Sequence, residues 1–341
     1  MRALVYDGPE QLRLEERADP VPGPREVVVA VHASGICGSD VHGYLGTTGR
    51  RPPGVVMGHE AAGVVSRVGE GVDGVAPGDH VTLRSILPCL LCDQCRHGWP
   101  NVCANRRGLG MHLDGAYADA VVVPEDGLLL LPPDLPLPEA ALIEPLAVAM
   151  HAVDITPFAL LDTVAIVGAG SIGLLTLLAA RLRGAGRVLV TDRSAHRLQM
   201  ARALGATDAF DVTRVDAAAA ILDATGGRGA DVVFEAVGST PTVDQSVRAA
   251  RLGGQVTWIG NSDPRVELGM QDVVTKELTL RGAYGYVDEF DRAARAIADR
   301  RVEVRPLIER TALLEDAVEL FGELAHGRLD AVKVVLTPAS R

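Results

Sequence analysis

At 341 residues the chain is long for one hydrophobic core and points to two domains. A hydrophobic fraction of 48% against 23% charged residues describes an ordinary globular protein. The formal net charge of -11 argues against a nucleic-acid or membrane-surface partner, since either needs a basic face.

From Met1 the chain runs straight into a strand-like pattern, without the apolar core and small-residue cleavage site of a signal peptide. The most apolar stretch, Ile172 to Leu182, is too short to span a bilayer. A cytoplasmic protein is expected. Residues 1 to 130 read as mostly β, with strands over Glu26 to Val31, Ala61 to Val68, His80 to Leu83 and Ala116 to Val123. Turns such as Pro22-Gly23-Pro24 and Pro77-Gly78-Asp79 separate them.

Three segments of this β-rich region carry chemistry. Gly35-Ile36-Cys37-Gly38-Ser39-Asp40-Val41-His42 places a thiol, a hydroxyl, a carboxylate and an imidazole within one short glycine-containing loop. A thiolate is a soft zinc ligand, and a hydroxyl and an imidazole can move a proton. Taken alone, the segment reads equally well as a buried cysteine in a loop. In Gly58-His59-Glu60, two adjacent side chains of a strand would face opposite ways, so both reach one metal only from a bend. Gly58 supplies the freedom for that bend; the alternative is a half-buried histidine beside a surface glutamate.

The third segment is Cys89-x2-Cys92-x2-Cys95-x7-Cys103. Four thiolates so close suit a tetrahedral zinc site with no open position, which is a structural site. An iron–sulfur cluster fits less well, because its bacterial run has a shorter last gap and a proline after the final cysteine, where this chain has Ala104. With five cysteines in all and no sign of secretion, a disulfide framework is not expected.

A proline-rich connector, Leu131 to Pro138, leads to Glu144-Pro145. Proline disfavours helical backbone in the residue before it, so Glu144 is expected at a helix break, its carboxylate directed into a cleft or merely facing a helix start. From residue 162 strands and helices alternate. Strands are expected over Thr163 to Val167, Arg187 to Thr191, Ala209 to Val212, Asp231 to Ala236, Gln255 to Ile259 and Leu278 to Ala283, with helices over Ser171 to Arg183, Ala195 to Leu204 and Thr242 to Arg251. Six strands with crossovers imply an α/β doubly wound parallel sheet.

Between the first strand and its helix lies Gly168-Ala169-Gly170-Ser171-Ile172-Gly173, so Gly168, Gly170, Ile172 and Gly173 mark a pyrophosphate site at a helix N-terminus. Asp192 ends the second strand, where a carboxylate binds ribose hydroxyls and repels a 2′-phosphate. NAD is therefore expected over NADP, with Arg193 and Arg197 nearby as the opposing signal. The C-terminal stretch reads as a helix over Val287 to Arg300, a turn at Pro306, a helix over Leu314 to Gly322 and a last strand, Ala331 to Leu336, that rejoins the first domain.

Together these segments resemble the zinc-dependent medium-chain alcohol dehydrogenases, in order and over essentially the whole chain. The resemblance implies a GroES-like catalytic domain (1–150 and 284–341) with an inserted NAD-binding Rossmann domain (151–283). It implies two zincs per chain. Cys37, His59, Glu60 and Glu144 would serve the catalytic one, with the two glutamates alternating with water or substrate, and Cys89, Cys92, Cys95 and Cys103 the structural one. Ser39 and His42 match the proton-relay positions, and Asp40 the acid that orients the zinc-bound histidine. Val237, Gly238, Ile259 and Gly260 match turns beside the nicotinamide. A glutamate at position 144 points to the polyol and threonine dehydrogenase branches. One departure stands out: similar polyol dehydrogenases carry an arginine before the tyrosine that is Tyr286 here, where this chain has Gly285.

The expected activity is oxidation of a secondary alcohol, polyol or sugar alcohol, to a ketone, at a cleft between the domains. The alternatives are a threonine or amino-alcohol dehydrogenase with the same machinery, and a non-catalytic nucleotide-binding descendant. The pocket loop Gly43 to Val56, with Tyr44 and Arg50-Arg51, does not declare its substrate. A homodimer or homotetramer is expected, paired through the edge strand Leu278 to Ala283.

Overall fold

The structure, a computed structural model, describes residues 1–338. Its contacts divide the chain into two compact units, Met1–Glu144 with the chain from Phe290 onward, and Pro145–Glu289. These boundaries differ from 150/151 and 283/284: His151, on the helix Ile143–Asp154, bonds the Glu289 carboxylate at 3.1 Å and so belongs with the second unit.

The first unit is built on a seven-stranded sheet. Strand Glu26–Gly35 lies near its middle, pairing antiparallel with Glu60–Val68, Ala120–Pro124 and Lys333–Thr337. Val27, Val29 and Val31 alternate toward a core shared with Val65, Val81 and Leu83. On the other side Tyr117 and Tyr44 close on Phe321, at ring-centroid distances of 5.7 and 5.6 Å. The last strand rejoins this sheet as expected, with Val335 opposite Gly35.

Two expectations shift. Gly38–Tyr44 is a helix rather than a loop, because Val41 and Tyr44 have a core to pack against. The strand expected over residues 116 to 123 is Ala120–Pro124, since Ala116 and Tyr117 turn inward and their N–H groups bond Gly58 and Met57 instead of a sheet neighbour.

The second unit carries six parallel strands, in the order Asp208–Asp211, Arg187–Asp192, Thr163–Val167, Ala230–Glu235, Ala250–Trp258, Thr279–Gly282. Thr163–Val167 is central, and its successors lie on one side before the order switches to the other. That is the doubly wound arrangement, with its ligand crevice at the carboxyl ends beside the switch. Ala165, Val167, Leu189, Val233 and Val256 fill its core, as fits strands covered on both faces. No helix among the described residues is long and apolar enough to cross a membrane.

Candidate active site and metal centres

Cys37 lies two residues beyond the end of strand Glu26–Gly35 and caps the helix Gly38–Tyr44, its carbonyl accepting the Asp40 and Val41 N–H groups at 3.0 and 3.2 Å. His59 sits after Gly58, whose φ of +96° makes the bend; a Cβ there would fall 2.7 Å from the Tyr117 ring. Glu60 then opens its strand directly opposite Gly35. Bend and register together bring ligand atoms of Cys37, His59 and Glu60 within 4.8 Å of one another. That donor set, one sulfur, one imidazole and one carboxylate, is the chemistry of a zinc site with room for a further ligand.

Three buried carboxylates, Asp40, Glu60 and Glu144, have different partners. Asp40 is fully buried, with Oδ1 3.3 Å from His59 Nδ1 and 2.6 Å from Arg51 Nη2, and with Oδ2 accepting the Tyr117 hydroxyl at 2.6 Å. Burial pushes its carboxyl up, but His59 and Arg51 outweigh that and hold it well below the usual carboxylate range. His59 is shifted the other way: burial pulls it down, while Asp40 and Cys37 carry it well above an ordinary histidine. Glu60 Oε2 pairs with Lys333 Nζ at 2.7 Å, both side chains almost wholly buried, and Lys333 also donates to the Ile36 carbonyl at 3.2 Å. Burial lowers the Lys333 ammonium, but Glu60 outweighs it and the net direction is up.

Glu144 Oε1 accepts the neutral Ser85 hydroxyl at 2.6 Å, and burial pushes its carboxyl up to about 7. It lies in the first turn of a continuous helix, not at a break. Pro145 is tolerated there because the first turn's N–H groups have no helical acceptor to lose. Of the proton-relay positions, Ser39 is exposed with its Oγ 3.3 Å from Cys37 Sγ, and half-buried His42 stands in the last turn of the same helix.

The four-cysteine lobe passes a geometric test. Zinc–sulfur bonds of about 2.3 Å in a tetrahedron require sulfur–sulfur edges of about 3.8 Å. The observed separations are 3.5 Å for Cys92 and Cys95, 3.7 Å for Cys92 and Cys103, and 3.4 Å for Cys103 and Cys89. Backbone N–H groups of Leu91 and Cys92 pull the Cys89 thiol down to about 6, whereas burial and the neighbouring sulfurs push Cys95 up to about 12. A bound dication removes that conflict by holding all four as thiolates.

In the second unit the glycine motif forms a cradle. A Cβ at Gly173 would lie 1.8 Å from the Gly168 carbonyl, and no side chain caps the helix Ser171–Arg183. Asp192 is locked beside it by N–H donors from Ala169 at 2.6 Å and Ser194 at 2.8 Å. The Arg197 guanidinium approaches within 3.7 Å of a Cβ built on Gly170, and Ile172 stands in the helix's first turn. The turns Val237-Gly238 and Ile259-Gly260 meet, gathered by the buried Glu235. Its carboxylate accepts from Val237 and Gly238 at 2.8 and 2.7 Å, and its carbonyl accepts from Ile259 and Gly260 at 2.8 and 3.0 Å. These features fit a dinucleotide.

Sequence reasoning missed Arg51 as a partner of Asp40, and missed Tyr117, Ser85 and Lys333 altogether as site residues. Lys333 had a signal, being one of two lysines against abundant arginine. Tyr117 and Ser85 had none.

Comparisons with known proteins agree with this geometry. The family model for an alcohol dehydrogenase GroES-like domain matches residues 23–133, and that for a zinc-binding dehydrogenase matches residues 171–299. D-xylulose reductase A of Aspergillus oryzae is 35% identical, over 96% of this chain and 94% of its own. Sorbitol dehydrogenase of Halalkalibacterium halodurans is 32% identical over 99% of each. Among solved structures, a zinc-binding dehydrogenase of Sinorhizobium meliloti with NADP bound superposes with a TM-score of 0.94, at 35% identity over 99% of each chain.

Proposed function

This chain belongs to the zinc-binding dehydrogenases that carry an alcohol dehydrogenase GroES-like domain, and from that premise we propose that it oxidises a secondary carbinol of a polyol or sugar alcohol, reversibly, with NAD as hydride acceptor. The convergence of Cys37, His59 and Glu60 carries this reading. Relatives named D-xylulose reductase and sorbitol dehydrogenase support the polyol class over the amino-alcohol and non-catalytic alternatives. Gly285, in place of an arginine, leaves fewer donors for a long polyol, which favours substrates other than sorbitol itself.

Cys37, His59 and Glu60 would hold the zinc, with Glu144 as the carboxylate that would exchange with water or substrate. Zinc, when bound, would supply Lewis acidity toward a contacted hydroxyl, and the nicotinamide would supply the hydride acceptor. Ser39 Oγ would accept the substrate's hydroxyl proton while releasing its own toward His42, which would pass a proton on to solvent; in reduction the relay would run the other way. Asp40 keeps the His59 ring oriented from its Nδ1 side, 3.3 Å away. The preference for NAD rests on Asp192, whose remaining lone pairs accept ribose hydroxyls and whose charge repels a 2′-phosphate.

The strand Thr279–Gly282 ends its sheet with one edge unpaired by any strand among the described residues. Pairing with its copy in a second chain would give a homodimer, and two such dimers a homotetramer. A cytoplasmic location completes the reading.

The test is a nicotinamide-absorbance screen over polyols, simple secondary alcohols, threonine and amino alcohols with both cofactors. Turnover of polyols with NAD is expected. Turnover confined to threonine or amino alcohols, or a preference for NADP, would replace this reading.

A further inference from the structure

Arg51 belongs to a loop that a substrate pocket would be expected to use, yet its side chain is 2% exposed and unavailable to a substrate. Its Nη2 lies 2.6 Å from Asp40 Oδ1 and 3.5 Å from Ser39 Oγ. Asp40 Oδ1 is thus shared, with a short bond to Arg51 and the longer 3.3 Å approach to His59 Nδ1. The helix between them is cut to receive the guanidinium. A Cβ at Gly43 would fall 2.5 Å from Arg51 Cδ, 2.7 Å from Nη1 and 2.8 Å from Nε. Glycine inside a helix is unfavourable, so its use at Gly43 is accounted for by the seat it leaves open.

We propose that Arg51 is a positioning residue for the Cys37 centre: its guanidinium fixes the Asp40 carboxylate against the back of His59 and draws the Ser39 hydroxyl toward its working place. The proposal rests on the reading of Cys37 and His59 as zinc ligands. Tyr117 holds Asp40 Oδ2 from the other side at 2.6 Å, so the carboxylate is clamped at both oxygens and cannot rotate. An arginine suits the post because a single guanidinium nitrogen, Nη2, carries two N–H groups and so reaches both Asp40 Oδ1 and Ser39 Oγ. Asp40 in turn faces His59 Nδ1 at 3.3 Å, a close charge approach without an aligned hydrogen bond, and groups behind a metal-bound histidine commonly matter 10–100-fold, roughly, in affinity or activity.

The experiment uses full-length holoenzyme and its cobalt-substituted form, comparing wild type, Arg51→Met and Arg51→Lys. The structural lobe serves as an internal control for folding. Arg51→Met should speed metal release from the Cys37 centre to a chelator by roughly 10–100-fold. It should also shift the cobalt ligand-field bands and lower kcat while leaving the KM for NAD unchanged. Arg51→Lys should recover part of each change. If Arg51→Met does not fold, Arg51→Gln takes its place with the same expectations. Wild-type release rate, cobalt spectrum and kcat in the neutral variant would overturn the proposal. A wild-type enzyme that takes up cobalt only in the lobe would instead overturn the reading of the Cys37 centre itself.

Discussion

The two metal centres are built on opposite plans. The lobe draws four sulfurs from one stretch, Cys89 to Cys103, and surrounds them with N–H groups, among them those of Cys89, Cys92 and Asn105 at 3.3 to 3.4 Å from sulfur. The Cys37 centre gathers a thiol from a helix start and a histidine and a glutamate from a bend, with Arg51 and Lys333 buried against its acids. A set of like ligands that fills every position needs only closeness, since the metal satisfies each sulfur. A mixed set with an open position keeps acids buried beside it, and a buried charge without a partner is costly. On the proposed assignment, counter-charges mark the working centre and their scarcity the structural one.

That contrast can be broken by exchanging the roles. Cys37→Ala should cost on the order of 10³-fold or more in kcat, several kcal/mol of lost transition-state stabilisation, while thermal stability and cofactor binding change little. Cys103→Ser should do the reverse, releasing the lobe metal and lowering Tm, because metal affinity at such a site is folding free energy. If Cys37→Ala unfolded the protein and Cys103→Ser spared it, the assignment of roles would be wrong.

Next in size comes the buried pair. In a Cys37→Ala background, which removes the metal beside Glu60, Lys333→Met takes away the carboxylate's buried ion-pair partner and should lower the unfolding free energy by about 3–5 kcal/mol in urea. A loss below about 1 kcal/mol, the range of exposed pairs, would mean that the charge is solvated and the contrast overdrawn.

A smaller effect depends on pH. Burial raises Glu144 to about 7. The unfolded carboxyl ionises first, so this contribution to stability is full below the ordinary glutamate value and is lost as pH rises toward 7. In a Cys37→Ala background, where the lobe keeps its metal, Glu144→Gln should remove a decline on the order of 3 kcal/mol across that window. Parallel stability curves with and without Glu144→Gln would show the carboxyl to be solvated. Smallest is Asp192→Ala, expected to erode the NAD preference by about tenfold, or ~1.4 kcal/mol, with both metals retained. An unchanged ratio of kcat/KM for the two cofactors would place specificity elsewhere.

How much of this was legible follows the same division. The lobe could be read from spacing alone, because its ligands are local. So could the second unit: alternating runs and the glycine motif place Thr163–Val167 and Ser171–Arg183 at their expected bounds. The Cys37 centre needed a bend at Gly58, which the residue type announced, and a strand register, which it did not. Tyr117 and Lys333 act across 77 and 273 residues, and although Arg51 is only 11 from Asp40, a carboxylate leaves no local sign of which cation will meet it. Glu144 was misplaced at a helix break because the rule for residues before proline was applied where a helix's first turn relaxes it.

The central claim is tested most directly by counting metal. Elemental analysis of purified wild type, Cys37→Ala and Cys103→Ser should return two zincs per chain, then one, then one, with turnover lost in Cys37→Ala. One zinc in wild type, or two in Cys37→Ala, would contradict the account.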